Sequence, residues 1–361
     1  MAGLVLVHDY LLVLRGAERT FAAMADTWPD ADVVTLLYDE RALDGRFAGH
    51  RVVTSPLQRL GMDQRGFRAL LPVLGPAVRR LPTRSADRIV SSSSAFAHGV
   101  RKGPGAVHVC YCHSPFRYAW HEQARARAEV PGALRGVLDV LLRRHRAFDR
   151  RAAAQVDRYV ANGVITRDRI RRFWGHDAEI LHPPVDVDRF SPGEAGDHVL
   201  FVGELVAHKR PDAAIEAAVT AGRRIRVVGS GPDEARLRAR YAREADFLGR
   251  ISDEALAAEY AGAAALVVPN VEEFGIAAVE AQAAGRPVVA LDAGGPRETV
   301  VHHRTGLLVA PGDPAALARA LREDFSRFDP QEIRDHAARF ATARFQARLR
   351  EIVDGTEPRP R

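Results

Sequence analysis

The sequence lacks any apolar run approaching the roughly 20 residues that a membrane-spanning helix needs. Its start also lacks a basic n-region and a cleavage site, so the apolar run Leu4–Val7 predicts a first strand and not a signal peptide. Cysteine is scarce, and Cys110 and Cys112 stand one residue apart, where they cannot join distant segments. These absences argue against a disulfide-built secreted domain and favour the cytoplasm, where thiols stay reduced.

Length and charge predict two domains. A chain of 361 residues exceeds the size at which a single hydrophobic core keeps growing. Residues 1–190 hold 29 Lys and Arg against 20 Asp and Glu, a net +9, whereas the remainder holds 23 against 26, a net −3. A basic first half fits a domain that meets an anion, and a generally arginine-rich proteome explains the excess equally well.

Short runs rich in β-branched residues alternate with helical patterns, which predicts βαβ units and parallel sheets covered on both faces. The predicted strands are Leu4–Val7, Val33–Tyr38, Arg88–Val90, Val107–Tyr111, Arg158–Val160, Ile180–His182, Val199–Val202, Ile225–Val228, Phe247–Leu248, Ala265–Pro269 and Val288–Leu291. The clearest predicted helices are Pro211–Ala221, Asp233–Arg243, Asp253–Ala261 and Ile276–Ala284.

Adjacent prolines at 183–184 and a Pro-Gly pair at 192–193 interrupt this alternation. We therefore predict an N-terminal Rossmann-like α/β domain at 1–190 and a C-terminal one at 191–339. The helical pattern at 340–361 would pack back onto the N-terminal domain.

The turn after the predicted strand at 265–269 carries the most informative pattern of the C-terminal half. Gly275 lets the backbone approach a ligand just before a helix begins. Free N–H groups near Phe274, Gly275 and Ile276, with the helix dipole, favour an anion or sugar hydroxyls. Glu280 falls about one helical turn further along and can face the same place.

The spacing Glu272-x7-Glu280 resembles the signature of glycosyltransferase family 4. The resemblance implies a GT-B fold, in which two Rossmann-like domains with parallel sheets face an interdomain cleft. It also implies that Glu272 holds donor-sugar hydroxyls near the reaction centre and that Glu280 accepts hydrogen bonds from the nucleotide ribose. Capping of a helix N-terminus would account for two glutamates without a ligand, but the surrounding strand–loop–helix pattern favours the family roles.

Basic residues open the first helix of the C-terminal domain. The segment Phe201–Asp212 is similar to the family turn in which a basic pair binds the donor diphosphate, and Lys209 and Gly203 match it. Glu204 stands where the family commonly has arginine, and Arg210 is the candidate to replace that arginine. A purely structural role for these cations is disfavoured because cations oppose the helix dipole at an N-terminus.

Three further turns complete the expected donor side. Gly229 and Gly231 suit close approach of the backbone to phosphate or ribose, although a lone Gly-x-Gly is often only a tight turn. Arg250 and Ile251 lie in a segment that resembles the loop around the nucleobase, where Arg250 would either stack on the base or form an exposed ion pair. The turn Ala293–Glu298 resembles the family's Gly-Gly-x-x-Glu turn, with a plain turn before a helix as the alternative.

The N-terminal domain is expected to carry the acceptor. His8 and Tyr10 end the first strand, and Gly16 matches the family loop that lies close to the donor phosphates and closes the cleft. Because Gly16 is the only glycine there, the Gly-x-Gly-x-x-Gly fingerprint is absent, which disfavours a nicotinamide-binding domain.

The segment Cys110–Trp120 contains a His-Ser-Pro-x-Arg-Tyr pattern. It resembles a subgroup of the family that assembles cell-surface polysaccharide and glycolipid, often with GDP-mannose. His113 would contact the transferred sugar or the incoming hydroxyl, with Arg117 and Tyr118 beside it, and a structural histidine is the alternative. A zinc site built from the two cysteines and His113 would lack a fourth local ligand.

The segment Gln58–Arg88 mixes apolar and basic residues, and its prolines limit it to short helices. Such a mixture suits a peripheral contact with the anionic inner face of a membrane, and amphipathic core helices give the same pattern. The basic residues are Arg59, Arg65, Arg68, Arg79, Arg80 and Arg84, and the apolar ones include Leu60, Phe67, Leu70, Leu71, Val73, Leu74 and Val78.

The residues and the resemblance together predict a retaining glycosyltransferase with Glu272, His113 and Lys209 as catalytic residues. It would move a hexosyl group, mannosyl favoured, from a GDP- or UDP-linked sugar to a glycan, glycolipid or small-molecule acceptor. No metal, no cofactor beyond the sugar nucleotide and no nucleic-acid partner is expected. The alternatives are a nucleotide-sugar 2-epimerase or phosphorylase of the same architecture, and a non-catalytic nucleotide-sugar-binding protein, which Glu204 favours.

Overall fold

The computed structural model describes residues 3–61, 66, 70–313 and 315–358. The chain divides into two compact units, Met1–His182 with Gln346–Arg361, and Pro183–Phe345. We predicted a boundary after residue 190, whereas the division falls immediately before the two adjacent prolines. Val185 and Phe190 are buried in a core of the second unit, and this packing accounts for the earlier position.

The first unit is built on a seven-stranded parallel sheet, ordered β3-β2-β1-β4-β5-β6-β7. Its strands are β1 (Leu4–His8), β2 (Asp32–Thr35), β3 (Val52–Thr54), β4 (Arg88–Ser93), β5 (Val107–Cys112), β6 (Arg158–Ala161) and β7 (Ala178–Ile180). Its helices are α1 (Gly16–Thr27), α2 (Leu71–Val78), α3 (Arg117–Trp120), α4 (Gln123–Ala128), α5 (Arg135–Ala153) and α6 (Val164–Trp174).

The second unit is built on a six-stranded parallel sheet, ordered β10-β9-β8-β11-β12-β13. Its strands are β8 (Val199–Val202), β9 (Ile225–Val228), β10 (Ala245–Gly249), β11 (Ala265–Val268), β12 (Val288–Leu291) and β13 (Gly306–Val309). Its helices are α7 (Pro211–Ala221), α8 (Glu234–Tyr241), α9 (Asp253–Gly262), α10 (Ile276–Ala283), α11 (Pro296–Thr299), α12 (Ala316–Leu321) and α13 (Pro330–Ala337).

Both sheets are covered by helices, which explains why their strands read as continuous apolar runs and not as alternating patterns. Every residue of β5 and every residue of β11 is buried. Helices therefore cover both faces, and loops at the strand ends are left to carry polar groups.

The last helix, α14 (Thr342–Asp354), contributes its residues from Gln346 onward to the first unit. Gln346 Nε2 donates to the carbonyl of Ala23 at 3.0 Å. Arg350 Nη2 donates to the carbonyl of Thr27 at 2.6 Å. The Thr27 carbonyl ends α1 and has no helical partner, whereas the Ala23 carbonyl also accepts a hydrogen bond from the Thr27 hydroxyl at 2.9 Å.

Two strands escaped the sequence-based prediction. β3 and β13 each form an edge of their sheet and have only three and four residues. Runs this short carry too little periodicity to separate a strand from a loop. One strand was predicted at the wrong position, 180–182, because β7 ends at Ile180. The carbonyl of Leu181 instead accepts a hydrogen bond from the Tyr111 hydroxyl at 2.9 Å.

The mixed segment at 58–88 contributes both core and surface. Leu74 and Val78 on α2 are buried, whereas Leu60 and Val73 are 55% and 43% exposed. Arg65, Phe67 and Arg68 lie outside the described residues. Among the helices that the structure describes, none has both the length and the apolar character needed to cross a bilayer.

Candidate active site

In the second unit, the order of strands reverses between β8 and β11, which are hydrogen-bonded neighbours. In open parallel sheets such a switch point leaves a crevice at the carboxyl ends of the strands, where ligands bind. The loops that follow these two strands carry Lys209 and Glu272. Topology therefore brings together two residues that are 63 positions apart in sequence.

Lys209 and Glu272 form the charged centre of this switch point. Lys209 Nζ lies 2.7 Å from Oε1 and 2.8 Å from Oε2 of Glu272, and Asn270 Nδ2 donates to Oε1 at 2.9 Å. Burial alone would raise the pKa of Glu272, but the ammonium of Lys209 and the hydrogen bonds from Lys209 and Asn270 outweigh it and hold the pKa below its usual value. The carboxylate is therefore ionised at neutral pH, and about a fifth of it, 21%, remains exposed.

The loop that carries Glu272 is fixed by its backbone. The N–H of Gly295 donates to the carbonyl of Glu272 at 2.8 Å. A Cβ on Gly295 would lie 2.1 Å from the carbonyl oxygen of Phe274, so only glycine fits there. Gly275 directly precedes α10 as its N-cap residue with φ +91°, a left-handed conformation that favours glycine. The predicted Gly-Gly turn thus supports the glutamate loop directly.

Glu280 is held by partners of its own. Tyr260 donates its hydroxyl to Glu280 Oε2 at 2.9 Å, and Arg189 Nη2 lies 3.5 Å from Oε1. Burial and then the Glu280 carboxylate raise the pKa of Tyr260 well above its usual value, so the phenol keeps the proton that it donates. The side chain of Glu280 is 17% exposed, which leaves part of its carboxylate accessible.

The glycine-rich turns after β8 and β9 pack backbone against backbone. A Cβ on Gly229, which has φ +130°, would lie 1.9 Å from the carbonyl oxygen of Gly203. A Cβ on Gly231 would lie 2.4 Å from the carbonyl oxygen of Leu205. The contact between these turns alone therefore requires glycine at 229 and 231.

The remaining predicted donor-side residues take different positions. Arg210 adopts a left-handed conformation with φ 55°, is exposed, and lies 4.0 Å from Asp212. Arg250 is exposed and forms no ion pair with any described residue. Ile251 is half-buried, and the ring of Phe274 packs on Phe340 at 5.5 Å, so Phe274 offers its backbone and not its side chain. Ile276 is the first residue of α10.

The first unit has its own switch point, between β1 and β4. His8 ends β1, Ser92 lies near the end of β4, and His113 follows β5. Ser92 Oγ is 3.0 Å from His8 Nδ1 and 2.8 Å from His113 Nε2. One hydroxyl can donate to one ring and accept from the other, so the three side chains form a continuous hydrogen-bonded row.

The histidine row is buried and closed by α1. Burial and then the nearby His8 lower the pKa of His113 to about 3, so its imidazole is neutral at physiological pH. His8 stacks on Phe21 at 4.8 Å and its Nε2 lies 3.7 Å from Glu18. Gly16 is the first residue of α1 and its carbonyl accepts a hydrogen bond from Thr20 at 2.9 Å.

The predicted acceptor-side residues on α3 contact the two glutamates that flank α4. Arg117 Nη1 lies 3.9 Å from Glu122, and the Tyr118 hydroxyl lies 3.3 Å from Glu129. Tyr10 is half-buried. Cys110 and Cys112 are buried free thiols, and burial raises the pKa of Cys110 to about 12. Among the described residues, no group of three His, Cys, Asp or Glu side chains could hold a metal ion.

Four residues of these sites were not predicted from sequence: Ser92, Asn270, Tyr260 and Arg189. Asn270 stands at the end of β11, where a polar residue after a buried strand is a usable signal. Arg189 and Tyr260 reach Glu280 from distant segments, and nothing in their local sequence indicates it.

Two α/β units with parallel sheets, each with polar side chains at its switch point, define the GT-B class of nucleotide-sugar enzymes. The family model described as Glycosyltransferase Family 4 matches residues 14–189, and the one described as Glycosyl transferases group 1 matches residues 187–334. The chain belongs to glycosyltransferase family 4, and the predicted family and fold are confirmed.

Relatives with assigned names match about half of the chain. A D-inositol 3-phosphate glycosyltransferase from Geodermatophilus obscurus is 34% identical over 234 residues, 54% of this chain and 52% of that protein. A GDP-mannose-dependent alpha-mannosyltransferase from Mycobacterium tuberculosis is 34% identical over 201 residues, 50% of each. The chain thus spans about half the length of the curated relatives it matches.

Solved structures share the fold over almost the whole chain. HepE from Anabaena, solved in complex with UDP, has a TM-score of 0.72 at 16% identity and covers 98% of this chain and 99% of its own. Sucrose-phosphate synthase from Thermosynechococcus elongatus has a TM-score of 0.73 at 18% identity and covers 97% and 98%. At these identities the likeness concerns the fold alone.

Proposed function

We propose that this protein is a retaining glycosyltransferase that moves a hexosyl group, mannosyl favoured, from a nucleoside-diphosphate sugar to a hydroxyl of an acceptor. The observation that carries the proposal is the Lys209–Glu272 pair at the β8/β11 switch point, beside the amino terminus of α10. A cation and free backbone N–H groups there suit a diphosphate, and a carboxylate suits sugar hydroxyls. The named mannosyltransferase relative supports the sugar.

The reaction breaks the bond between the anomeric carbon and the diphosphate oxygen and forms a bond from that carbon to the acceptor oxygen. Lys209 would stabilise negative charge building on the leaving diphosphate, and Arg210 would assist. Glu272 would hold the hexose. Attack from the face that the diphosphate leaves retains the configuration, and the acceptor proton passes to the departing phosphate oxygen.

His113 would orient a hydroxyl of the acceptor or of the sugar. Because its pKa is about 3, the imidazole of His113 is neutral near pH 7. The ring can therefore donate or accept a hydrogen bond, but it carries no positive charge. Its Nε2 is committed to Ser92, which orients the ring. Glu280 would accept hydrogen bonds from the ribose, held ready by Tyr260 and Arg189.

For the acceptor we propose a glycan, a glycolipid or a small molecule, and the D-inositol 3-phosphate glycosyltransferase relative supports the last of these. Peripheral contact with an anionic membrane from the cytoplasmic side belongs to the same proposal. Exposed Leu60 and Val73 beside arginines support that contact.

The test is a screen of GDP- and UDP-sugars for thermal stabilisation, followed by product analysis with and without acceptor. Binding to the folded state raises the melting temperature. Transfer that requires an acceptor supports the proposal. A product formed from donor alone with an inverted hydroxyl would identify an epimerase, and binding without any turnover would identify a binding protein.

A further inference from the structure

Three segments of the first unit meet around Phe148 on α5. A Cβ on Gly75 of α2 would lie 3.4 Å from the Phe148 ring, and a Cβ on Gly99 would lie 2.6 Å from its Cζ. The same Cβ on Gly99 would lie 3.2 Å from Val78. The end of α2, the turn after β4 and the last third of α5 are therefore packed together with no room for a further side chain.

Each of these segments carries an arginine close to the packed residues. Arg79 directly follows Val78, Arg101 comes two residues after Gly99, and Arg151 lies three residues after Phe148 and so on the same side of α5. The backbone of Arg84 packs against Gly103, two residues after Arg101, since a Cβ on Gly103 would lie 2.3 Å from the Arg84 carbonyl oxygen. Thr83 Oγ1 also donates to the Arg101 carbonyl at 2.7 Å.

The four arginines form a cluster without counter-charge. Burial and then the charges of Arg101, Arg151 and Arg84 lower the pKa of Arg79. Nε of Arg101 is buried and has no hydrogen-bond partner. Within the ranges that the structure describes, none of the four forms an ion pair with a carboxylate.

Two buried acids of this unit are already engaged. Both oxygens of Asp157 contact Lys102, one of them at 2.6 Å, and Asp149 accepts hydrogen bonds from Trp120 and Trp174 at 2.5 and 2.8 Å. Guanidinium groups remain protonated in proteins, so the cluster cannot relieve its repulsion by losing protons. An anion from outside the chain would neutralise it.

We propose that Arg79, Arg84, Arg101 and Arg151 form a binding site for a phosphate group. Several guanidinium forks around one point match a tetrahedral dianion with several acceptor oxygens better than a single carboxylate. Arg84 precedes β4, and Gly103 precedes β5, so the site lies at the amino-terminal edge of the sheet. His8 ends β1 and His113 follows β5, so both lie at the opposite, carboxyl edge of the sheet.

The phosphate can belong to a free anion or to a lipid headgroup, and the site is independent of the sugar-nucleotide chemistry proposed above. The first arm of the experiment titrates the full-length protein with inorganic phosphate, at constant ionic strength set by sodium chloride, using calorimetry and thermal melting. We expect Arg101→Gln with Arg151→Gln to weaken phosphate binding about tenfold or more, because charged hydrogen bonds are lost.

The matched control is Arg143→Gln with Arg144→Gln, which removes the same charge from exposed positions of the same helix and should bind phosphate as the unmodified protein does. Lys209→Ala should also keep this binding, which separates the site from the donor site. If the first pair does not fold, Arg84→Gln with Arg151→Gln changes two exposed residues instead. The proposal would be overturned if the unmodified protein does not bind phosphate, or if the two double variants bind it with equal affinity.

The second arm sediments the protein with vesicles of phosphatidylcholine and phosphatidylglycerol in equal parts. The phosphate is assigned to a lipid headgroup if the protein co-sediments with the vesicles, if the Arg101→Gln, Arg151→Gln variant does not, and if inorganic phosphate competes with the vesicles. Phosphate binding without cluster-dependent co-sedimentation assigns it to a soluble anion. Either result supports the same recognition chemistry.

Discussion

The two units share a strand order, yet their switch points differ in electrostatic character. Between β1 and β4 the first unit places a buried row of His8, Ser92 and His113, joined by hydrogen bonds. Between β8 and β11 the second unit places an ion pair of Lys209 and Glu272. The comparison teaches that topology decides where polar side chains converge, whereas residue type decides whether the place neutralises charge or orients hydroxyls.

Removing the cation from the second switch point should have the largest effect. Lys209→Ala is expected to lower kcat/KM roughly 100- to 1,000-fold, because the leaving diphosphate loses its charge partner. Steady-state kinetics with the donor found in the sugar screen measures it.

The chain contains only one other lysine, Lys102, which pairs with Asp157 in the first unit and serves as a matched control. Lys102→Ala should lower the melting temperature and leave kcat/KM near the unmodified value. Equal kinetic losses in the two variants would remove the contrast between the units.

Neutralising the carboxylate tests whether the second site acts through charge. Glu272→Gln keeps the shape of the side chain, and we expect kcat to fall about 100-fold with a much smaller change in donor affinity. Comparison of turnover with calorimetric donor binding separates the two. A near-normal rate would show that hydrogen bonding alone suffices there.

Acid should distinguish the units by stability. Burial lowers the pKa values of His108 and His113 to about 3 and that of His145 to about 4. Below about pH 6.5 these histidines are therefore protonated in the unfolded chain but not in the folded unit. Each of them lowers the free energy of unfolding by about 1.4 kcal/mol per pH unit as the pH falls from there toward its folded pKa. In the second unit, burial lowers the pKa values of His198, His302 and His336 by less, and the lowered pKa of Glu272 acts only below its ordinary value of 4.5.

All three tryptophans, Trp28, Trp120 and Trp174, lie in the first unit, so their fluorescence follows that unit alone. We expect this signal to change at a higher pH than the helical circular dichroism of the whole chain. His113→Gln should flatten the pH dependence of unfolding by about one proton. If the fluorescence and circular dichroism transitions coincide, and His113→Gln does not change them, the buried histidines of the first unit do not cause its acid sensitivity.

The smallest effect is expected at the ribose contact. Glu280→Ala should weaken donor binding about tenfold, since hydrogen bonds to a charged acceptor are lost. Tyr260→Phe should weaken it less, because it removes only the hydroxyl that orients Glu280. Calorimetry with the nucleoside diphosphate measures both, and unchanged affinity in Glu280→Ala would remove the ribose role.

Much of the architecture was predictable because it depends on local patterns. β8, β9, β12 and α7 were predicted with the bounds that the structure shows. The strands are apolar runs, interrupted only by Arg226 in β9, and the helix is bounded by Pro211 and Gly222. The family resemblance assigned Lys209 and Glu272 to the donor side, but their direct contact was not predicted. The roles predicted for the individual site residues stay predictions.

Long-range contacts could not be predicted in the same way. The support that Tyr260 and Arg189 give to Glu280, and the meeting of four arginines around Phe148, depend on how separate helices pack. Packing is decided by the fit of whole surfaces, and no single window of sequence contains it. The structural reason for Gly229 and Gly231 was equally hidden, because a glycine that serves a ligand and one that serves a neighbouring backbone are identical in sequence.

The close seating of Gly229 on Gly203 has a practical consequence for redesign. Any side chain at 229 would displace main-chain atoms, so a library that randomises these turns would mostly return unfolded protein. Variation of donor preference is better sought at neighbouring positions whose side chains already face solvent, of which Glu204 and Arg250 are two. A small library confined to those positions would let new nucleotide bases be explored on an intact scaffold.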